Sequence, residues 1–488
     1  MKHCILFFGF CLGLNPLFAQ NWTGALNSDW NNPANWSVTP TNGDDIVIDP
    51  ANYTGAMAQP LINGSSNFTP AEMLVQNGAH LTISGTLNAS DRVEIIGNGT
   101  LLTITNTGAF SLTGGGNNAR LIFVDDAHLE MNGGNLSVGQ RLLFELGATG
   151  NIHAGNVIVG ETIALVDGSA TGSSKLVQNG GMITTNAEFG FENEAGIYFP
   201  TFLQTGGSIQ INGSLLWLGV APGAGTGYFR STGGSVFVTG SIGNDPASTM
   251  NMHLEFSGNT AVMNNSGTTV DLLTGDSIVL NHHATWTDLG SATWTNNGSV
   301  YAADTSLFQS GNSTLNGTGN YQFDFVTIPG GKTLNHLAPA AIQVSGDFSV
   351  SGSFNHSTNI LELNGTKNQQ ITSSSNNLQL YGLRVQNSAN GPADGGYGIA
   401  LNTGITVSGS LELNDGMVVC AANAPVKVLD NVLQSGQSDS TFIVGTIEKT
   451  GDDAFVFPVG TLPDRYRPLH ISAPVSTGTQ IKVTYLNN

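Results

Sequence analysis

The chain has 488 residues, 34 acidic and 14 basic, for a formal charge of −20 at neutral pH. The basic residues are scattered, which excludes the clustered Lys/Arg surface that a nucleic-acid partner requires. Glycine accounts for 64 residues, but 40% of the chain is hydrophobic, and the apolar residues alternate with polar ones, which excludes a disordered Gly/Ser/Asn-rich chain.

Residues 1–20 have the secretory pattern: Lys2 and His3, an apolar run from Ile5 to Leu14, Pro16, then Leu17-Phe18-Ala19 before Gln20. The run is too short for an anchoring helix, which needs about 20 apolar residues. Bulky Phe10 argues against lipid attachment at Cys11. Cleavage would remove Cys4 and Cys11 and leave Cys420 alone, so no intramolecular disulfide is expected. Within Met417-Val418-Val419-Cys420 the thiol reads as a small buried residue rather than a nucleophile.

The segment 21–60 opens NWTGALNSDWNNPANW, with Trp22, Trp30 and Trp36 around Gly24 and Asn35. A stack of coils has an open apolar end, and large aromatics can plug it. Three indoles could instead form a sugar-stacking platform. The opening resembles that of large secreted surface proteins of the Bacteroidota type, usually exported by type IX secretion. The resemblance implies a cap on a right-handed parallel β-helix.

Residues 61–265 repeat. QTGGSIQINGSL from Gln204 and STGGSVFVTGSI from Ser231 place Gly206 and Gly233 in equivalent positions 27 residues apart. Weaker copies start at Gln76, Met131 and Gln178. Each reads turn, strand, turn, strand, with period-2 alternation. One such coil cannot bury its apolar face alone, so the coils must stack. The expected fold is all-β, a parallel β-solenoid.

From 266 to 440 Asn/Thr/Ser-rich strands replace the Gly-Gly corners, and a break near residue 265 is an open question. Trp286 and Trp294, each between threonines, are candidates for stacking on a glycan. AIQVSGDFSV from Ala341 matches GITVSGSLEL from Gly404 and makes Val344 and Val407 equivalent at a spacing of 63. Gly391–Gly398 is expected to project as a loop.

Residues 441–488 read as the start of a further β domain, incomplete at Asn488, because the strand pattern 480–486 would otherwise be an open edge. Their KTG…FPVG…RYRP phrase, Lys449 to Pro468, is also similar to the surface-protein family.

Catalytic signatures are sparse. Asp125-Asp126 and Asp452-Asp453 read as turn residues. The pair His282-His283 suits a surface turn or groove better than a metal site, since neighbours on a strand face opposite ways. Seven Lys and seven Arg are spread thinly, no acidic cluster supports Ca²⁺, and no cofactor is expected. The D-[ST]-[AILVMT] pattern marks Ser277 and Ser440 as candidate O-glycosylation sites.

The resulting expectation is a secreted or cell-surface, non-catalytic, adhesin-like stalk contacting glycans, with no membrane insertion after signal cleavage. Two rivals are a polysaccharide lyase or hydrolase and a carbohydrate-binding part of a larger enzyme. A cleft gathering acids, or an acid with Lys or Arg, from different coils would favour the enzyme. Exposed Trp286 and Trp294 would favour the binding module.

Overall fold

Strands of four or five residues alternate buried and outward side chains through nearly the whole chain. That alternation buries one face of every strand and leaves the other in water. The computed structural model describes residues 19–114, 118–167, 172–193, 199–219, 225–245, 248–463 and 465–485. Residues 1–18, which hold Cys4, Cys11 and most of the expected signal peptide of 1–20, and the end of the chain from 486 lie outside them. Among the described residues there is no α-helix. The fold is a parallel β-solenoid, in two compact units that divide between residues 164 and 177.

In each unit a coil gives one strand to each of three parallel sheets, here I, II and III. In the first unit one coil runs through Val93–Ile96, Leu101–Ile104 and Ala109–Leu112, on sheets I, II and III. Register stacks like on like: Leu81, Leu102 and Leu129 form one inward column of sheet II. The column continues to Gly150, where a Cβ would come within 2.8 Å of the Phe144 ring, so the aromatic occupies that space.

The N-terminal segment closes against this unit. Gln20–Asn21 pairs with Ile46–Ile48, which pairs with Met73–Val75. Trp22 and Trp30 stack at 6.1 Å, Trp36 packs edge-on to both, and Phe68 stacks on Trp30 at 5.3 Å. Each indole N–H has an acceptor: Ala58 O, Ser66 Oγ and Trp30 O. Asn35 is wholly buried and binds the backbone of Leu26, Asn27 and Asp29. These tryptophans are buried packing residues, and none offers a face to a sugar.

In the second unit the Gly-Gly corners join sheet II to sheet III. The second glycine of each pair, Gly181, Gly207 or Gly234, has a left-handed φ of 71°, 76° or 93°, which only glycine adopts without strain. The residue before each corner points inward. Gln204 Nε2 donates to Gln178 Oε1 and to Gly207 O, and Ser231 Oγ donates to Gln204 Oε1 at 2.9 Å. Thus Gln178, Gln204 and Ser231 form a buried polar ladder that satisfies the corner carbonyls. The 27-residue equivalence holds in the register Ser208↔Ser235. The copy at Gln76 does not match it, because Asn77-Gly78 turns from sheet I to sheet II.

The ladders run through residue 265 without a break, as Gly234–Val238 pairs with Ala261–Asn265 and that strand with Thr285–Asp288. Val344 and Val407 do not stack. Val344 stands in the column Phe323, Val344, Leu363, Val385, Leu413, whereas Val407 lies between Leu380 and Val428. The strands Asn377–Gln386 and Gly404–Asp415 run straight through a corner that earlier coils turn, with a register shift between Leu380 and Gly382. Ser345-Gly346 therefore turns from sheet II to III, while Ser408-Gly409 lies within one continuous strand.

Gln480–Thr484 pairs antiparallel with Thr446–Thr450 and covers that strand, while among the described residues its own outer side has no partner strand. Lys449 is 1% exposed, and its ammonium donates to Leu429 O, Thr450 O and Asp453 Oδ1. Full satisfaction of a buried cation explains the KTG phrase structurally.

Candidate ligand cleft

A departure from a flat outer face lies in the second unit, where sheet II turns into sheet III. Four successive coils contribute Tyr301 to Thr305, Gln322 to Phe325, Ser345 to Asp347 and Asn364 to Gln370. They enclose a cleft of about 540 Å³. A second depression of about 400 Å³ on the sheet III side shares Thr305, Phe325 and Asp347 with it.

The corner is built from residues that tolerate tight turns. Asp304 and Thr305 have left-handed φ values of 53° and 66°, as do His282 and His283 one coil earlier. The two histidines therefore occupy a turn, and their rings stack on the next coil: His282 Nδ1 lies 3.3 Å from Asp304 Oδ2, and His283 meets the Thr305 hydroxyl. Asp324 is the corner of the following coil. Its Oδ2 accepts from Thr305 N at 2.5 Å and its Oδ1 from Ser345 Oγ at 3.1 Å. Burial pushes the Asp324 carboxyl above its usual range against these hydrogen bonds, and the charges of Asp304 and Asp347 add to the rise. Asp347 Oδ1 accepts from Gln370 N at 2.8 Å, and Lys367 pairs with Asp394 at 3.0 Å. Asp394 belongs to the Gly391–Gly398 segment, which bridges on itself and is tied down by this pair.

Two rings flank the polar groups. Tyr301 is 41% exposed on sheet II, and Phe325 is half-buried on sheet III beside Leu307. An aromatic surface next to hydroxyls, amides and carboxylates matches the two-sided chemistry of a sugar ring. Beyond the cleft the sheet II face carries a paired ladder, with Arg384 bonded to both Glu362 and Glu412. Among the described residues no group of three or more His, Cys, Asp or Glu side chains could hold a metal ion.

The tryptophan pair singled out for glycan stacking is not here. Trp286 and Trp294 are 0% and 1% exposed, their rings 5.0 Å apart in the core. Both indoles donate to one carboxylate, Asp288, at 3.0 and 2.9 Å, with Asn265 and Ser313 as further donors. A buried Asp next to two tryptophans explains the alternation: the indole faces fill the core, and their N–H groups need an acceptor there. Ser277 lies on sheet II, paired on both sides, with its hydroxyl 2.8 Å from His253. Ser440 is exposed in the turn Ser438–Thr441, beside a cavity of about 200 Å³ lined by Tyr397, Asp415 and Asp439. Burial pushes the Cys420 thiol up to about 12, which keeps it protonated at neutral pH.

Sequence reading missed the cleft because its residues come from four coils and share no phrase. Tyr301 was the available signal, an aromatic at an outward position of an alternating strand.

Residues 21–138 match the model of a domain of unknown function, DUF8693. The match covers the tryptophan cluster and the first coils but not the cleft. No curated protein and no solved structure matches the chain.

Proposed function

We propose that this chain is a secreted, surface-exposed scaffold that binds a carbohydrate polymer without cleaving it, of the adhesin-like kind its resemblance to Bacteroidota surface proteins implies. The carrying observation is the cleft of Tyr301 and Phe325 around polar groups from four coils. Its acids hold their own turns: Asp324 and Asp347 accept from the chain's own groups, and Asp304 faces His282.

A second reading, a polysaccharide-cleaving enzyme, is favoured by the gathering of Asp304, Asp324, Asp347 and Lys367 from different coils. The deciding experiment incubates the chain with plant, algal and bacterial polysaccharides, with and without Ca²⁺, and measures retention and released chain ends together. Retention without product, weakened at least about tenfold by Tyr301→Ala as expected for a lost stacking platform, supports the scaffold. Released reducing or unsaturated ends would establish the enzyme. Loss of neither retention nor product on Tyr301→Ala would move the site elsewhere.

A further inference from the structure

The phrase His-Leu-Glu occurs at 128–130 and at 253–255, each time on a strand of sheet II with Leu inward and His and Glu outward. Positions i and i+2 of a strand share a face, so each imidazole lies beside its own carboxylate. The next coil then sets a hydroxyl opposite each imidazole, Thr149 against His128 and Ser277 against His253. In the second unit Ser277 Oγ is 2.8 Å from His253 Nδ1, and His253 Nε2 is 3.5 Å from Glu255 Oε2. The corresponding distances in the first unit are 2.7 and 3.1 Å.

A carboxylate near Nε2 favours the tautomer that carries the proton on that nitrogen, which leaves the Nδ1 lone pair to the hydroxyl. The titratable and charged groups facing His253 are Tyr228 and Arg230 on the preceding strand, Glu255 on its own strand and Ser277 on the next. The Tyr228 ring meets the imidazole edge-on at 5.3 Å, and Arg230 lies over Tyr228 and 3.2 Å from Glu255. Burial, aided by Arg230, holds His253 below its ordinary range against the pull of Glu255, so the ring is the neutral base at neutral pH.

We propose that Ser277 is an activated hydroxyl that accepts an acyl group from an activated carboxylic ester, with His253 as general base and Glu255 as a positioning residue. Ser277 Oγ attacks the ester carbonyl carbon while its proton passes to His253 Nδ1. The tetrahedral adduct then expels the alcohol portion, which leaves with the proton, so ester and serine become acyl-serine and alcohol. The strand Ser277–Asn281 commits its backbone to ladders on both sides, so the site offers no spare pair of amides to an oxyanion. The rate gain therefore comes from the base, about 10²-fold or more, and the acyl group stays: one modification per chain rather than turnover. Thr149 is the slower twin, because its hydroxyl is secondary and hindered by the adjacent methyl group.

The test treats the full chain with p-nitrophenyl acetate and follows it by intact mass and peptide mapping. Acetyl should appear first at Ser277, vanish in Ser277→Ala and form about 10²-fold more slowly in His253→Ala. His253→Gln keeps most of the volume without the base and guards against a folding defect, checked by circular dichroism. In Glu255→Gln the midpoint of the rate against pH should move down, since Glu255 raises the imidazole; an unmoved midpoint would remove its role. Acetylation confined to lysines, or an unchanged Ser277 rate in both His253 variants, would overturn the proposal.

Discussion

Two tryptophan clusters in this chain are solved by opposite chemistry. At the N-terminal end Trp22, Trp30 and Trp36 give their N–H groups to two backbone carbonyls and a serine hydroxyl. In the second unit Trp286 and Trp294 give theirs to one buried carboxylate. The first cluster spreads its polar load over neutral acceptors contributed by surrounding loops. The second concentrates it on Asp288, which four donors must satisfy at once. Aromatic packing with neutral acceptors should fail gradually when altered, whereas packing hung on a buried charge should fail as a unit.

The sharpest way to break the comparison is Asp288→Ala, which strips four buried donors of their acceptor. With about 1–3 kcal/mol for each orphaned group, partly offset by removal of a buried charge, a loss of about 5 kcal/mol in unfolding free energy is expected from chemical denaturation. Trp30→Ala should cost slightly less, about 4 kcal/mol, as a large cavity in a neutral cluster. Indole-to-phenyl changes sharpen the contrast further. Trp22→Phe deletes one N–H from a neutral carbonyl and should cost about 1–2 kcal/mol; Trp286→Phe should cost more than that, because it also weakens the support of Asp288.

The smallest effect is a pH slope. Burial raises the Asp288 carboxyl against its four donors, so its contribution is fully present below the ordinary carboxylate range and is lost as pH rises through the raised value. Stability measured against pH should therefore lose a falling segment in Asp288→Asn and in no variant of the N-terminal cluster. His336 slopes the other way. Its ring is buried and held at about 4, below its ordinary value of about 6.5, so its contribution is present above that value and declines as pH falls toward about 4. Subtracting the Asp288→Asn curve from that of the parent chain isolates the carboxylate.

The coil was legible in the chain because period-2 alternation and Gly-Gly pairs are local. What each phrase does was less so, since corners look alike in sequence. Asn-Gly after Gln76 and Gly-Gly after Gln204 turn different corners, and Val-Ser-Gly makes a turn at 344–346 but not at 407–409. Which corner a phrase occupies depends on the register imposed by neighbouring coils, a non-local quantity. Trp286 and Trp294 misled for a related reason: Thr-Trp-Thr reads the same whether the indole faces sugar or core, and only Asp288, one residue beyond the first triplet, hinted at a buried acceptor. The His-Leu-Glu phrases were readable as paired outward groups, but their hydroxyl partners lie 21 and 24 residues away on the next coil.

The cleft wall also works as a ruler. Its groups recur once per coil, at the strand spacing of about 4.8 Å, so a polymer laid along it meets marks of fixed pitch. A chain whose own repeat is commensurate with that pitch would meet a polar corner on every coil at once, with its register set by the single rings of Tyr301 and Phe325. One with an incommensurate repeat would be pinned at a single best alignment, as on a vernier scale.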